Sequence, residues 1–345
     1  MLRDSEKYSR LRILPSIGSK GLDDIFKAKI GVFGLGGLGS WSSLLLTQIG
    51  IGFLRIIDRD VVEVSNLPRT PIYTIESVDL PKAEQAAIFL KKINPNAVIE
   101  EKTTNIDEST IESLVKDLDV VIDGLDNIST RLIVNRACKK FGVPFIFAGA
   151  IGTSANISTF LYKNQQPCLN CIFEMISDDD LEKCDVTGVH TALLSLVASI
   201  QVAEAIKIIT KREPSFISRL YYIYLESMDL DTIQIKQNHS CSVCYPKSTS
   251  RTKTKTNVVE LCGDRTFLVP NQRTESINLV SLIVKLERAN IKIIKKGSLG
   301  ITFEFPFKSK HLVISLFSNG NLLVRGESQS SEINQIYNDF IEKYL

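Results

Sequence analysis

Short apolar runs, each bounded by polar residues or glycine, recur through the first half of the chain. Each is followed by a segment with helical spacing. Runs 30–34, 53–58, 97–102, 119–123 and 144–149 read as strands, and segments 38–49, 82–93, 109–116 and 128–141 read as helices between them. This alternation predicts an α/β fold with a doubly wound, mostly parallel sheet. Ligands of such sheets lie at the carboxyl ends of the strands. Chemistry is therefore expected in the loops after Phe33, Ile57, Ile122 and Ala148.

Two uncharged stretches are long enough to test as membrane spans. Residues 143–162 carry Pro144, Gly149, Gly152, Asn156 and several hydroxyls, and read as buried strands. Residues 186–203 contain His190 and Gln201 and run straight into Glu204 and Lys207, so a buried core helix over about 189–210 is expected. Between these stretches, 163–188 is polar and irregular with an Asp178-Asp179-Asp180 run. Loops of that length are commonly functional. Strand-like pieces follow at 219–226 and 231–236.

Residues 247–256, KSTSRTKTKT, have a linker composition. Beyond them, 257–345 reads as a small α+β domain with a helix near 275–288, a hairpin turn at Ser318-Asn319-Gly320-Asn321 and a final helix near 329–343. The expected organisation is a main domain over 1–246, a linker over 247–256 and the small domain over 257–345.

Composition changes this picture little. The 345 residues are 44% apolar and 8% aromatic, enough for a substantial core. Forty-one basic against 39 acidic residues leave a net charge of +2, which provides no global nucleic-acid footprint. The N-terminal MLRDSEKYSRLRILPSIGSK lacks the apolar segment of a signal peptide. A cytoplasmic protein without a membrane anchor is expected.

The first candidate site is Gly34-Leu35-Gly36-Gly37-Leu38-Gly39 between the first strand and the first helix of the alternation. Glycines permit a tight turn and close approach of phosphates, and the N–H groups of the helix opening near Leu38 face that anion. Asp58 and Asp60 end the next strand, where an acid can hold a ribose hydroxyl. The loop fits any Rossmann-type nucleotide fold, and Gly37 departs from the simple dinucleotide spacing. Nicotinamide chemistry needs no more than this. Cleaving a triphosphate needs more positive charge, which Arg69 and Lys82 supply unless they are ordinary surface charges. Asn66 offers an amide to a phosphate or sugar oxygen. Asp126, at the end of another strand, is placed either to ligate Mg2+ or to cap the next helix. Arg131 suits a local ion pair.

Seven cysteines stand at 138, 168, 171, 184, 241, 244 and 262. Cys168-x-x-Cys171 and Cys241-x-x-Cys244 are two pairs that would give one Zn2+ four thiolates and leave no open position for catalysis. Cys184 precedes the helix near Val189. A helix N-terminus lowers a thiol's pKa, so Cys184 reads as either a nucleophile or an inert thiol. Cys138 and Cys262 read as core.

Together these stretches resemble the ubiquitin-activating-enzyme-like adenylating family, whose bacterial members are MoeB and ThiF. The likeness runs from about residue 7 to 246. It rests on YSRLRILPSIG (8–18), GLGGLGS (34–40), DRDVVEVSNLPR (58–69), Lys82, DGLDNISTR (123–131) and the paired C-x-x-C. It implies that the C-terminal glycine carboxylate of a small β-grasp carrier attacks the α-phosphate of ATP. An acyl-adenylate forms and pyrophosphate leaves. By position, Gly34, Gly36, Gly37 and Gly39 match the phosphate loop, and Asp58 and Asp60 match the ribose-side acids. Asn66, Arg69 and Lys82 match phosphate contacts. Asp126, with Asn127 beside it, matches the magnesium and nucleotide acid. Arg10 matches an arginine that reaches the partner subunit's ATP, which implies a homodimer. Cys184 falls where some relatives carry a cysteine that accepts the carrier as a thioester or handles sulfur, and others need none. Residues 257–345 match nothing nameable; activating enzymes of conjugation pathways append a conjugating-enzyme-recruiting domain of comparable position, and docking of the carrier or simple stabilisation are equal alternatives.

Three other readings compete. One is adenylation of a small molecule or tRNA within the same family. Another is a non-catalytic scaffold for a ubiquitin-like protein, which has no need of Arg10, Arg69, Lys82 and Asp126 together. The last is a nicotinamide dehydrogenase, for which no hydride-site acid or base of comparable specificity is present.

Overall fold

The computed structural model describes residues 6–163, 166–178, 187–246, 259–261, 266–271, 276–308, 310–326 and 330–344. The proposed linker, Cys184 and Cys262 lie outside them. Two short N-terminal helices, α1 (Ser9–Arg12) and α2 (Gly18–Lys27), lead into β1 (Lys29–Phe33), α3 (Gly37–Ile49) and β2 (Phe53–Ile57). Then come α4 (Lys82–Ile93), β3 (Val98–Lys102), α5 (Ile111–Val115), β4 (Val120–Asp123), α6 (Ile128–Phe141) and β5 (Phe145–Ile151). Each expected element is present within a few residues of its expected ends. The chain continues through β6 (Ser154–Phe160), α7 (Asn170–Phe173), α8 (Thr191–Ile209), β7 (Arg219–Tyr224) and β8 (Asp229–Gln234).

These strands form one sheet of order β3-β2-β1-β4-β5-β6-β7-β8. The first five are parallel, and β6 to β8 are antiparallel. The inner parallel strands β1, β4 and β5 are nearly all apolar because helices cover both faces, whereas the edge strand β3 is largely polar. On one face Ile30, Val32, Leu54 and Ile56 pack with Leu46, Leu90 and Val202. On the other, Phe33, Ile57, Val121 and Phe145 pack with Leu114, Val134 and Cys138. The chain leaves β1 toward β2 on one side and finds β4 on the other, so the topological switch lies at the β1/β4 carboxyl ends.

Helix α8 is long and apolar enough to cross a bilayer. Here it packs on α3 and on β4, β5 and β6, as expected of a core helix. Its two fully buried polar side chains are satisfied by the sheet and its loops. Gln201 Nε2 donates to the carbonyl of Asp123 at 2.8 Å, and Glu204 accepts from Thr159 Oγ1 at 3.1 Å and from the Ser215 and Phe216 amides at 3.0 Å.

The C-terminal strands β9 (Val259–Leu261), β10 (Thr266–Val269), β11 (Ile293–Lys296), β12 (Gly300–Phe307), β13 (Lys310–Phe317) and β14 (Leu322–Arg325) form a second sheet. Its order is β11-β12-β13-β14-β10-β9, and its pairs are antiparallel. The expected turn closes between β13 and β14, with Gly320 at φ +86°. Helices α9 (Leu279–Arg288) and α10 (Ser330–Tyr344) cover one face through Leu282, Leu286, Ile336 and Phe340.

Candidate nucleotide site and cysteine centre

The glycine loop bridges β1 and α3 at the switch point. Gly34 has φ +88°, and its N–H donates to the Ile57 carbonyl at 2.8 Å, tying the loop to the end of β2. A Cβ on Gly39 would stand 1.8 Å from the Gly34 oxygen, so the turn admits only glycine there. A Cβ on Gly37 would meet Leu194 of α8 at 2.7 Å, whereas at Gly36 nothing lies within 4 Å. Gly36 is the N-cap of α3 and supplies no side chain to the first turn. The space at Gly36 is open, and a helix N-terminus carries free backbone amides suited to an anion.

Asp58 is buried, and both its oxygens accept backbone donors: Leu35 N at 2.7 Å and Asp60 N at 2.8 Å. It therefore holds the glycine loop in place. Burial raises its pKa, the Lys82 charge opposes that shift and Asp60 adds to it. Lys82 opens α4 with its backbone N–H on the Asp60 carbonyl at 2.9 Å and its Nζ 3.3 Å from Asp60 Oδ2. Burial would lower the Lys82 pKa, but Asp58, Asp60, Glu63 and Asp126 outweigh it and hold the ammonium raised. Tyr73 braces this group from beneath. Its hydroxyl donates to the Leu35 carbonyl at 3.0 Å and lies 3.4 Å from that of Lys82.

Asp126 is exposed in the loop after β4. Crowding by protein atoms would raise its carboxyl, but Arg59, the Asn127 amide, Lys82 and Arg131 hold it below the usual range. It is not the cap of the next helix. Asn127 is, with its Oδ1 accepting from Thr130 N at 2.9 Å and its Nδ2 donating to Asp126 Oδ1 at 2.9 Å. Asp178 also accepts from the Ile128 and Ser129 amides, which ties the polar segment before residue 179 to this helix end. Beneath the loop, Arg131 pairs with the fully buried Asp123 at 2.9 Å and donates to the Ala148 carbonyl at 2.9 Å. This is the local ion pair that the sequence suggested for Arg131.

Asn66 is buried in a 3-10 turn, Val64–Arg69. Its Oδ1 accepts from Glu63 N at 3.1 Å, so its first task is to close that turn. Arg69, at the end of the turn, is half-buried and has no ion-pair partner among the described residues.

The four paired cysteines meet. Sulfur separations are 3.9 Å for Cys168–Cys171, 3.7 Å for Cys168–Cys241, 3.6 Å for Cys171–Cys244 and 3.5 Å for Cys168–Cys244. A tetrahedron of thiolates about 2.3 Å from a central Zn2+ has edges of about 3.8 Å, so the donor set fits that ion. The hydrogen bond from Cys168 comes first among the influences that pull Cys171 down to about 4, and the same bond raises Cys168. Asn135 on α6, fully buried, supports the knuckle by accepting from Leu169 N and Tyr162 Oη, each at 3.0 Å. Lys139 Nζ lies 2.9 Å from Cys244 Sγ. Residues 127 and 139 stand near opposite ends of α6, about 18 Å apart along its axis, so the cysteine centre is remote from the glycine loop.

The ThiF family matches residues 8–243. The chain belongs to the ThiF family. It is 28% identical to the sulfur carrier protein ThiS adenylyltransferase of Bacillus subtilis over 97% of this chain and 99% of that one. It is 33% identical to the SAMP-activating enzyme E1 of Haloferax volcanii, over 69% of this chain and 88% of the other. The crystal structure of E. coli MccB with AMPCPP and MccA superposes with a TM-score of 0.61 at 25% identity, covering 70% of this chain and 75% of that one. The likeness to the Bacillus protein extends through the C-terminal sheet, which the sequence alone matched to nothing.

In this ThiF-family chain the glycine loop, Asp58, Asp60, Lys82 and Asp126 come together at one pole of the sheet. Arg10 does not join them. Tyr8 packs on Phe26 and against Gly50, at the end of α3 opposite the loop and about 20 Å from it. Arg10, two residues on, is exposed and unpaired among the described residues. Cys138 is fully buried, and burial raises its thiol, as expected of a core residue. Reading the sequence missed Tyr73 and Arg59. Tyr73 has no flanking motif. Arg59 stands between Asp58 and Asp60, and that place between two acids was the available signal.

Proposed function

We propose that the protein uses ATP to adenylate the C-terminal carboxylate of a small ubiquitin-like or sulfur-carrier protein. The observation that carries this reading is Lys82. It is a buried ammonium kept charged by four carboxylates beside an open glycine loop and helix N-terminus. Hydride transfer has no use for that charge. A leaving pyrophosphate does. The names of the relatives, adenylyltransferases and activating enzymes of carrier proteins, point the same way.

In this reading the amides of Gly36 and the first turn of α3 bind phosphate oxygens. Asp58 and Asp60 flank the ribose, and Asn66 and Asn127 border the nucleotide. A carboxylate oxygen of the carrier attacks the α-phosphorus, and the bond from that phosphorus to the pyrophosphate oxygen breaks. The products are acyl-adenylate and pyrophosphate. Lys82 and Arg69 balance the charge that builds on the leaving group. Asp126, held ionised, is the ligand suited to Mg2+, which when bound neutralises phosphate charge. Arg10 of a second copy completes the site in a homodimer. The four cysteines hold Zn2+ as a structural brace.

The C-terminal domain does not favour protein conjugation, because the sulfur-carrier relative from Bacillus spans the same length. A thioester on Cys184 is a separate step, read as a DTT-sensitive carrier adduct lost in Cys184→Ala. The adenylation itself is tested by intact mass. Incubated with ATP and Mg2+, the right carrier should gain one adenylyl group, and hydroxylamine should remove it. A panel of Gly-Gly carriers that all stay unmodified would count against the reading.

A further inference from the structure

The C-terminal sheet is buried on both faces, and alternation along its strands shows what covers each. Phe303, Ile314 and Val324 point to its own helices. Leu268, Thr302, Ser315, Phe317 and Leu323 point the other way and are at most 1% exposed. They lie on the stretch of the main unit that joins Asp60 to Lys82. Leu268, Phe317 and Leu323 pack with Val61. Thr302 Oγ1 donates to the Asp79 carbonyl at 2.7 Å, and Arg325 Nη2 pairs with Asp79 Oδ1 at 2.7 Å. Asp79 holds φ +67°, a left-handed conformation rare for a non-glycine residue.

Glu84 makes the tightest link. It sits in the first turn of α4, two residues after Lys82, and is only 7% exposed. Its Oε1 accepts from Ser298 N at 2.6 Å and Ser298 Oγ at 2.7 Å, and its Oε2 accepts from Leu299 N at 3.1 Å. A buried carboxylate is costly unless donors surround it. Those named here for Glu84 all come from the C-terminal unit. The first turn of α4 is thus gripped from two sides, by Asp60 through Lys82 and by the 298–299 loop through Glu84.

We propose that the C-terminal unit sets the position of Lys82, with Glu84, Asp79 and Arg325 as positioning residues for nucleotide binding. The unit is then part of the frame of the ATP site and not a tethered module beside it. This rests on the reading of Lys82 as a triphosphate contact. A charge moved by about an ångström loses much of its effect on a bound group. Coupling of this kind is reciprocal, so ATP should also steady the 298–299 loop.

The test is calorimetric titration of the full chain with ATP and Mg2+. The first variant is Gly297→Ala, whose Cβ would stand 2.5 Å from Glu84 Oε2 and displace the carboxylate from outside the nucleotide unit. Arg325→Ala is the second, with Arg325→Lys as its conservative rescue. The Kd for ATP should rise about tenfold in the first two and recover in part in the third. Hydrogen exchange at Ser298 and Leu299 should slow when the unaltered chain binds ATP. A role limited to stability would lower the Tm and leave the Kd of the folded variants unchanged. That result, with exchange unaffected by ATP, overturns the inference alone. Failure of the unaltered chain to bind ATP overturns the functional reading and this inference with it.

Discussion

Lys82 shows how one side chain reports on a site. Its burial disfavours charge, yet Asp58, Asp60, Glu63 and Asp126 more than offset that and raise its pKa. The sign follows directly. A raised lysine stabilises the folded, charged arrangement at every pH below its unfolded value and loses that contribution only as pH climbs through the folded value. ATP affinity governed by Lys82 should therefore stay flat from neutrality to about pH 10, and titrations across that range check it. A fall centred near pH 8 would assign the binding to another group. Lys82→Met should cut pyrophosphate exchange by at least about 100-fold, with Lys82→Arg retaining part of the rate. Asp126 behaves oppositely. It is exposed, with Arg59, Lys82 and Arg131 nearby holding its carboxyl low, so it stays ionised for a cation at any physiological pH.

At the scale of elements, helix α6 separates two roles that the sequence left joined. Asn127 caps it and Asp126 does not. Asn127→Ala should cost about 1 kcal/mol and lower the Tm by about 2–4 °C. Asp126→Ala should abolish exchange and leave the Tm within about a degree of the parent. Thermal unfolding of the two variants side by side decides between these roles. The contrast also shows what sequence can convey. The inner parallel strands were legible because strands covered on both faces read as apolar runs, with β1 and β2 ending at Gly34 and Asp58. The glycine loop was legible because Gly34 and Gly39 meet constraints that only glycine satisfies. The two C-x-x-C pairs carry their geometry in their spacing. Which of two adjacent polar residues turns inward to cap is set by a backbone angle, which a one-letter string does not show. The bonds from Ser298 and Leu299 to Glu84 join residues 214 and 215 positions apart, and no local pattern announces them.

For the whole molecule, the proposed reading makes the cysteine centre and the C-terminal sheet two braces on one nucleotide unit. The purified protein should carry one zinc ion per chain by elemental analysis. Cys241→Ser should lose it and lower the Tm by roughly 10 °C, because a closed thiolate site contributes folding energy directly. ATP Kd of the still-folded fraction should change little, since the centre lies at the far end of α6. The central claim is that this pole of the sheet cleaves ATP to activate a carrier's carboxylate. The measurement that tests it most directly is ATP–pyrophosphate exchange, run with each small β-grasp protein ending in Gly-Gly from the same genome and with Asp126→Ala as control. Label entering ATP with one carrier, absent without it and absent in the variant, is the predicted result. No exchange with any carrier, from a chain that binds ATP, would contradict it.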